Sequence, residues 1–344
     1  MSMKKPKNKY WLIVYKKLFF FYVDFYYIIL FFQEWVINSI LILKNIKKDT
    51  KKYNLSLLVI LYNALLKYPL LGFIPIDFFC YKLYKNNYKK YISFLKYYYT
   101  FTRENFYLPN SISDKFIFKQ ILINKIKTPK ILAYYDHKNT KIIKFAKPSS
   151  DKVVIKPSCG YRGNGIQIVK SDNYINTLKK CKQSSIAEEF IEQHQMLNDI
   201  FSEVVNTLRI ITLKKNGDFI IIKGTLKVGQ YSNIYVDNVA KGGIGININL
   251  KTGILGRGYT SYKHGFIEYK YHPKSNYKFY GKSIPYIDQV KDLAISAHRY
   301  FPRFKIIGWD IAITETGPTI VEGNIHPNIT GMQLHEPLLK KLSS

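Results

Sequence analysis

Two apolar runs near the C-terminus, Ile306 to Thr314 and Pro318 to Val321, are separated by the turn Glu315-Thr316-Gly317 and read as a β-hairpin. Polar residues interrupt this otherwise buried pattern. Asp310 lies inside the first strand, and Glu322 and Asn324 end the second, two residues apart and so on one face. If the strands pair across the turn, three oxygen-bearing side chains converge. Carboxylates brought that close need a cation between them, and oxygen donors alone suit a hard ion such as Mg²⁺. The alternative is a plain hairpin whose acids sit at its solvated end.

The chain has 344 residues, enough for two or three lobes with a real core. Its net charge of +30 comes from 47 lysines but six arginines, beside an excess of Ile, Asn, Tyr and Phe. That composition resembles coding bias as much as function, so no nucleic-acid partner is expected. Scarcity makes each arginine informative, and five follow from Arg162 onward: Arg162, Arg209, Arg257, Arg299 and Arg303. Cys80, Cys159 and Cys181 lack C-x-x-C or zinc spacing and point to a reduced, cytoplasmic protein. Seven scattered histidines form no H-E-x-x-H motif, and His264 and His272 read as solvated.

Residues 1 to 9 are Lys-rich and expected to be loose. Tyr10 to Phe32 is densely aromatic, and Lys16, Lys17 and Asp24 interrupt any window long enough to span a bilayer. With the basic cluster Lys44 to Lys52, the segment fits a helix at an anionic membrane surface; a helix packed on the next lobe and a true span are the alternatives. Leu55 to Cys80, broken by Lys67, Pro69, Gly72 and Pro75, suggests two core helices.

A short helix is expected after Ser113-Asp114, either of which can cap it, with Lys115 in its first turn. A cation there opposes the helix dipole, a conflict that a bound anion removes. Lys152 to Val169 reads as strand, Gly-rich loop, strand. Gly160, Gly163 and Gly165 let backbone N–H groups approach a phosphate, and Lys156 adds charge. The loop is neither a G-x-x-x-x-G-K-[ST] P-loop nor a dinucleotide fingerprint. Ser185 to Glu192 is a strand entering a polar linker, able to offer backbone groups to an adenine and a carboxylate to a ribose, or simply an edge strand with solvated acids. Glu203 to Lys214 and Phe219 to Val228 form an antiparallel pair, followed by the polar loop Tyr235 to Gly245 and the strand Ile246 to Leu250. The pattern leaves open whether Arg209, Lys223 and Lys227 face inward. Pro285 to Phe301 is an amphipathic helix.

Together these motifs resemble the ATP-grasp superfamily, most closely its sugar-transfer associated branch. The matching residues are Asp114-Lys115 with Thr128-Pro129, Val154 to Pro157 with the glycine loop, Ala187-Glu188-Glu189, Asn206 to Arg209, Asp237-Asn238 with Gly242-Gly243, and Gly308-Trp309-Asp310 with Glu322-Gly323-Asn324. The resemblance covers about residues 106 to 335 closely and about 60 to 105 loosely. It implies an α+β fold, two lobes with antiparallel sheets gripping ATP, preceded by a mainly helical N-terminal region. The expected divisions are 1–55, basic and aromatic; 56–113, helical; and 114–344, the ATP-grasp domain, with a flap lobe at about 150–190 and a metal-binding lobe at about 200–335.

By the same resemblance, Lys115 and Lys156 contact the ATP phosphates under the flap of Gly160, Gly163 and Gly165. Glu188 or Glu189 meets the adenine amine and Glu192 the ribose. Asp310, Glu322 and Asn324 hold one or two Mg²⁺, with Mn²⁺ as a substitute. Arg209 faces the γ-phosphate or an acyl phosphate, and Lys227 stands where the branch favours arginine. The implied activity is an ADP-forming carboxylate–amine ligase using a small-molecule or glycan-linked carboxylate and an amine, in surface-polysaccharide assembly. The alternatives are a phosphotransferase and an ATP-binding scaffold for a membrane glycosyltransferase. The implied location is cytoplasmic, peripheral on the inner face of the membrane, with residues 1–52 against the anionic surface.

Overall fold

The computed structural model describes residues 9–108, 111–160, 163–231 and 237–343. The basic tail, Arg162, Pro109 and the start of the Tyr235 to Gly245 loop therefore lie outside the described residues. The chain forms two compact units, residues 1–107 with 333–344, and residues 108–332.

The first unit is helical. One helix, Lys9–Tyr53, buries Val23, Tyr27, Phe31 and Ile42 on a single side. The expected pair of helices in Leu55 to Cys80 is present as a helical run from Leu57 to Leu70 and a short helix, Asp77–Cys80. Only the second is wholly buried; the first leaves Leu58 at 78% and Leu70 at 86% exposure. A π-helical stretch, Leu61–Lys67, precedes Pro69. Proline has no N–H to return to Leu65 O four residues back, and Trp35 Nε1 donates to that carbonyl at 3.0 Å. The C-terminal segment returns to this unit through Gln333, fully buried, whose amide accepts from Ile92 N (2.9 Å) and donates to Ile92 O (2.9 Å).

The second unit holds twelve named strands among its described residues, all paired antiparallel. They are β1 Ile131–Asp136, β2 Lys141–Lys144, β3 Lys152–Pro157, β4 Gln167–Lys170, β5 Ser185–Glu189, β6 Thr207–Lys215, β7 Asp218–Val228, β8 Ile244–Ile248, β9 Leu255–Tyr259, β10 Glu268–Tyr269, β11 Ile306–Thr314 and β12 Gly317–Asn324. One sheet runs β2-β1-β5-β3-β4 and the other β10-β9-β8-β7-β6-β11-β12. Mixed helix and antiparallel sheet is the α+β class expected. β6 begins at Thr207 and not at Glu203, because Asn206 Nδ2 donates to Leu197 O and Phe201 O and holds the preceding backbone out of the ladder.

The helix Ile287–Arg299 packs Val290, Ala294 and Ala297 into the core of the larger sheet beside Phe118, Phe301 and Trp309. His272, expected to be solvated, is instead fully buried: its Nε2–H donates to Gly229 O (2.8 Å) and its Nδ1 accepts from Ser275 N (3.2 Å). Both ring nitrogens are satisfied without water, so burial costs little.

His298 is buried in the same way. Because a carbonyl can only accept, its Nε2–H donates to Phe304 O (2.9 Å), and Nδ1 then accepts from the Thr212 hydroxyl (2.7 Å), which accepts from Trp309 Nε1 (2.8 Å). Burial pushes the imidazole down to about 4. The unfolded chain therefore takes up this proton first, and the contribution is intact above the ordinary histidine range and drains as pH falls towards 4. Between pH 6.5 and pH 5 the wild type should lose about 1.5 kcal/mol more unfolding free energy than His298→Gln, read from paired urea titrations; parallel pH profiles would contradict this.

Candidate functional site

β11 and β12 pair across the expected turn, but the ladder is not straight. Counting back from Thr314 opposite Gly317, a regular ladder would bring Val321 opposite Asp310. A bulge between Asp310 and Ile311 inserts Val321 as the extra residue, so Asp310 faces Glu322 and Gly308 faces Asn324. Cross-strand partners share a face of the sheet, so the bulge is what brings the two carboxylates together. Asn324 Nδ2 lies 3.4 Å from Asp310 Oδ2, completing the expected convergence.

On the other side of β11, Asp310 stands in register with Arg209 of β6. The guanidinium grips it as a fork, Nε to Oδ1 at 2.6 Å and Nη2 to Oδ2 at 2.9 Å. Gly308 leaves room for that side chain: a Cβ there would stand 3.2 Å from Arg209 Cδ and 3.0 Å from Pro327 Cβ. Arg209 pairs with Thr225 of β7, and Lys227, two residues on and on the same face, places Nζ 3.1 Å from Asp310 Oδ1 and 3.3 Å from Asp237 Oδ1. Asp237 in turn accepts from the amide N–H (2.9 Å) and hydroxyl of Thr207. The open question of direction is thus answered: Arg209 and Lys227 face Asp310, while Lys223 turns to Asn247 Oδ1 (2.7 Å).

These groups set one another's protonation. Burial alone would raise Asp310, but Arg209 and Lys227 outweigh it and hold the carboxyl below its usual range. Glu322 has no such partner; burial and then the charge of Asp310 push it up, partly opposed by Lys115. Burial lowers Lys115.

Lys115 opens the helix Lys115–Leu122, which Asp114 caps by accepting from Phe116 N (2.9 Å) and Ile117 N (3.1 Å). Its ammonium donates to Gly160 O at 2.9 Å, and with Ser113, Gly160, Glu322, Asn324 and Ile325 it lines a cleft. Gly163 and Gly165 of the β3–β4 loop have φ of 69° and 77°, and a Cβ on Gly165 would meet Pro157 Cγ at 2.9 Å, so this loop needs glycine there. Asn164 Oδ1 accepts from Lys241 Nζ (2.8 Å), joining the loop to the larger lobe.

Lys156 and Glu188, neighbours on β3 and β5, form a buried ion pair, and a second lysine completes it. Lys119 Nζ bonds the other Glu188 oxygen and Pro129 O (3.2 Å). Burial pushes Lys119 down to about 8, and the two ammoniums together hold Glu188 below its usual range against its own desolvation. Lys119 escaped the sequence reading. Its signal is the i, i+4 spacing from Lys115 on a helix whose apolar side carries Phe118 and Leu122. Glu188 is therefore fully engaged, whereas Glu189 is half-buried and accepts from Ser149 N (2.9 Å), and Glu192 is exposed beyond the end of β5. These two are not drawn into the cluster around Asp310.

Among the described residues no three His, Cys, Asp or Glu side chains gather to hold a metal. A cation at the hairpin would have two carboxylates and an amide to bind it. That set fits Mg²⁺: all donors are hard oxygens, and a cation beside Glu322 would relieve the repulsion that raises it.

The sequence pattern of the family described as sugar-transfer associated ATP-grasp matches residues 95–344. No curated protein matches the chain. Among solved structures, N5-carboxyaminoimidazole ribonucleotide synthetase from Thermotoga maritima is 15% identical with a TM-score of 0.38, covering 64% of this chain and 44% of that one. An L-amino acid ligase from Bacillus licheniformis is 12% identical with a TM-score of 0.40, over 64% and 42%. D-alanine–D-alanine ligase from Bacillus anthracis is 14% identical with a TM-score of 0.37, over 67% and 62%. The chain thus spans less than half the length of the first two.

The buried Lys119–Glu188–Lys156 cluster generates a stability prediction. Glu188→Gln strands two ammoniums and should cost about 3–5 kcal/mol at neutral pH. The deficit should shrink as pH rises towards 10, because a lysine whose folded pKa is depressed favours the native state once deprotonated. Urea midpoints measured across that range test it; a pH-independent deficit would contradict the assignment.

Proposed function

We propose, for a chain that belongs to the sugar-transfer associated ATP-grasp family, an ADP-forming Mg-ATP-dependent ligase that activates a carboxylate as its acyl phosphate and passes the acyl group to an amine. The observation that carries this reading is the row of charges Asp237, Lys227, Arg209, Asp310 and Glu322 across four neighbouring strands and the loop after β7, beside Lys115 and a glycine loop. Phosphoryl transfer needs fixed charge and positioning and no protein nucleophile, which is the kind of equipment this row supplies.

In this reading Lys115 and Lys156 contact the ATP phosphates, and the loop of Gly160, Gly163 and Gly165, in the lobe of about 150–190, closes over them. Glu188, with both oxygens engaged, orients Lys156, leaving Glu189 and the end of β5 for the adenine amine and Glu192 for the ribose. Asp310, Glu322 and Asn324, in the lobe of about 200–335, hold the Mg²⁺, which neutralises phosphate charge when bound. The substrate carboxylate oxygen attacks the γ-phosphorus and ADP leaves. The amine nitrogen then attacks the acyl carbon, inorganic phosphate leaves, and the amine gives up one proton to solvent. Arg209 and Lys227 face the oxygens on which negative charge accumulates. Lys227 does so as a point charge, not a fork.

The substrates in this proposal are a small-molecule or glycan-linked carboxylate and an amine, in surface-polysaccharide assembly. The protein acts in the cytoplasm, on the inner face of a membrane. A phosphotransferase would use the same cations and stop at a phosphorylated acceptor.

Glu322→Gln, a nearly isosteric change at a half-buried position, should lower kcat at least about 100-fold while leaving the thermal midpoint within a few degrees. With ATP, Mg²⁺ and pooled sugar acids and amines, the wild type should release ADP and phosphate with an amide product detected by mass spectrometry. AMP, or a phosphorylated end product, would reject the ligase.

A further inference from the structure

The Lys9–Tyr53 helix is apolar on two opposite sides. Val23, Tyr27, Phe31 and Ile42 face the interior of the first unit at 0–8% exposure. Phe25, Ile28, Ile29, Phe32, Val36, Ile40 and Leu43 are 39–56% exposed, and their spacing of three and four residues keeps them on one stripe about 27 Å long. The acids along the stripe's length turn away from it: Asp24 pairs with Arg103 (2.7 Å), and Glu34 accepts from Asn38, which is 6% exposed. Beyond Leu43 the helix carries Lys44, Lys47, Lys48, Lys51 and Lys52, all exposed, and the one acid in that run, Asp49, is buried. The run from Leu57 to Leu70 in the same unit exposes Leu58, Tyr62, Leu66 and Leu70, four residues apart, and the wider π turn of Leu61–Lys67 keeps that spacing near one side.

We propose that the first unit docks on an anionic lipid surface through the Phe25–Leu43 stripe, with Lys44, Lys47, Lys48 and Lys51 against the headgroups. Charge complementarity selects this occupant. Exposed apolar stripe followed by basic cluster is the pattern of an interfacial helix, each lysine adding attraction to an anionic leaflet. A second copy of the chain would bring the same lysines and a net charge of +30 to the contact.

Val23–Tyr53 contains an 18-residue window apolar enough to cross a bilayer, of mean hydropathy 1.6. It lies on the surface instead, because its opposite side is committed. The Arg103–Asp24 pair and the Trp35 Nε1 bond to Leu65 O tie it along its length to its own unit, and a span would carry those polar groups into hydrocarbon or break them. This inference does not depend on the ligase reading.

Flotation of the full chain with phosphatidylcholine vesicles, with and without phosphatidylserine, tests it. The wild type should float with the anionic vesicles, less so at high salt, and should be released by alkaline carbonate. Phe25→Ser/Phe32→Ser/Val36→Ser/Ile40→Ser and, separately, Lys44→Gln/Lys47→Gln/Lys48→Gln/Lys51→Gln should each weaken vesicle binding at least about tenfold. Far-ultraviolet circular dichroism and the thermal midpoint report whether each variant folds. The lysine variant, changed at exposed positions alone, decides the matter if the apolar one unfolds. No flotation, flotation unaffected by the lysine variant, resistance to carbonate, or a dimer lost in the apolar variant without lipid binding would each overturn the proposal.

Discussion

The fork between Arg209 and Asp310 is the interaction on which the second unit's chemistry depends. A carboxylate at 3% exposure, one strand in from the edge of a seven-stranded sheet, cannot stay ionised alone, and its partner comes from the adjacent strand, 101 positions away in sequence. Once Asp310 is held charged, the rest follows by Coulomb's law. Lys227 is drawn to it, Asp237 balances Lys227, and Glu322, brought opposite by the bulge, is the group that Asp310 disfavours in its charged form.

Much of this was legible in the sequence. The hairpin announced itself through its turn and its misplaced polar residues, and the glycine loop and the Asp114 cap through local chemistry that acts within a few residues. What periodicity cannot show is a bulge. Counted straight, the β11–β12 ladder turns Glu322 away from Asp310, and only the extra Val321 brings them together. The β6–β7 pair has its own shift between Ile211 and Thr212, which is why no count from its turn could say where Arg209 and Lys227 point.

Buried polar groups were the other blind spot, for a different reason. His272 was read as solvated because a histidine's partners, a carbonyl 43 residues away and an amide of its own loop, leave no local mark. Lys119 is absent from the sequence reading because its partner, Glu188, is brought to it by β5, 69 positions away. Both are long-range satisfactions of polarity; a chain's local pattern can mark a position, as the spacing from Lys115 marks Lys119, but not the partner that satisfies it.

Charge balance joins the two halves of the candidate site. Lys115, Lys119, Lys156, Arg209 and Lys227 stand against Glu188, Asp237, Asp310 and Glu322, so the cluster carries a surplus of one positive charge, or two when Glu322 is protonated. Most of these groups are buried or half-buried, where an uncompensated charge is costly. A ligand that enters such a place must come close to cancelling the surplus. A triphosphate alone overshoots it; a triphosphate with a divalent cation, beside an ionised Glu322, would land near neutrality. In the proposed reading, the raised carboxyl of Glu322 would be the part of the cluster that gains most from a cation, and Asp310, already gripped by Arg209, would gain least.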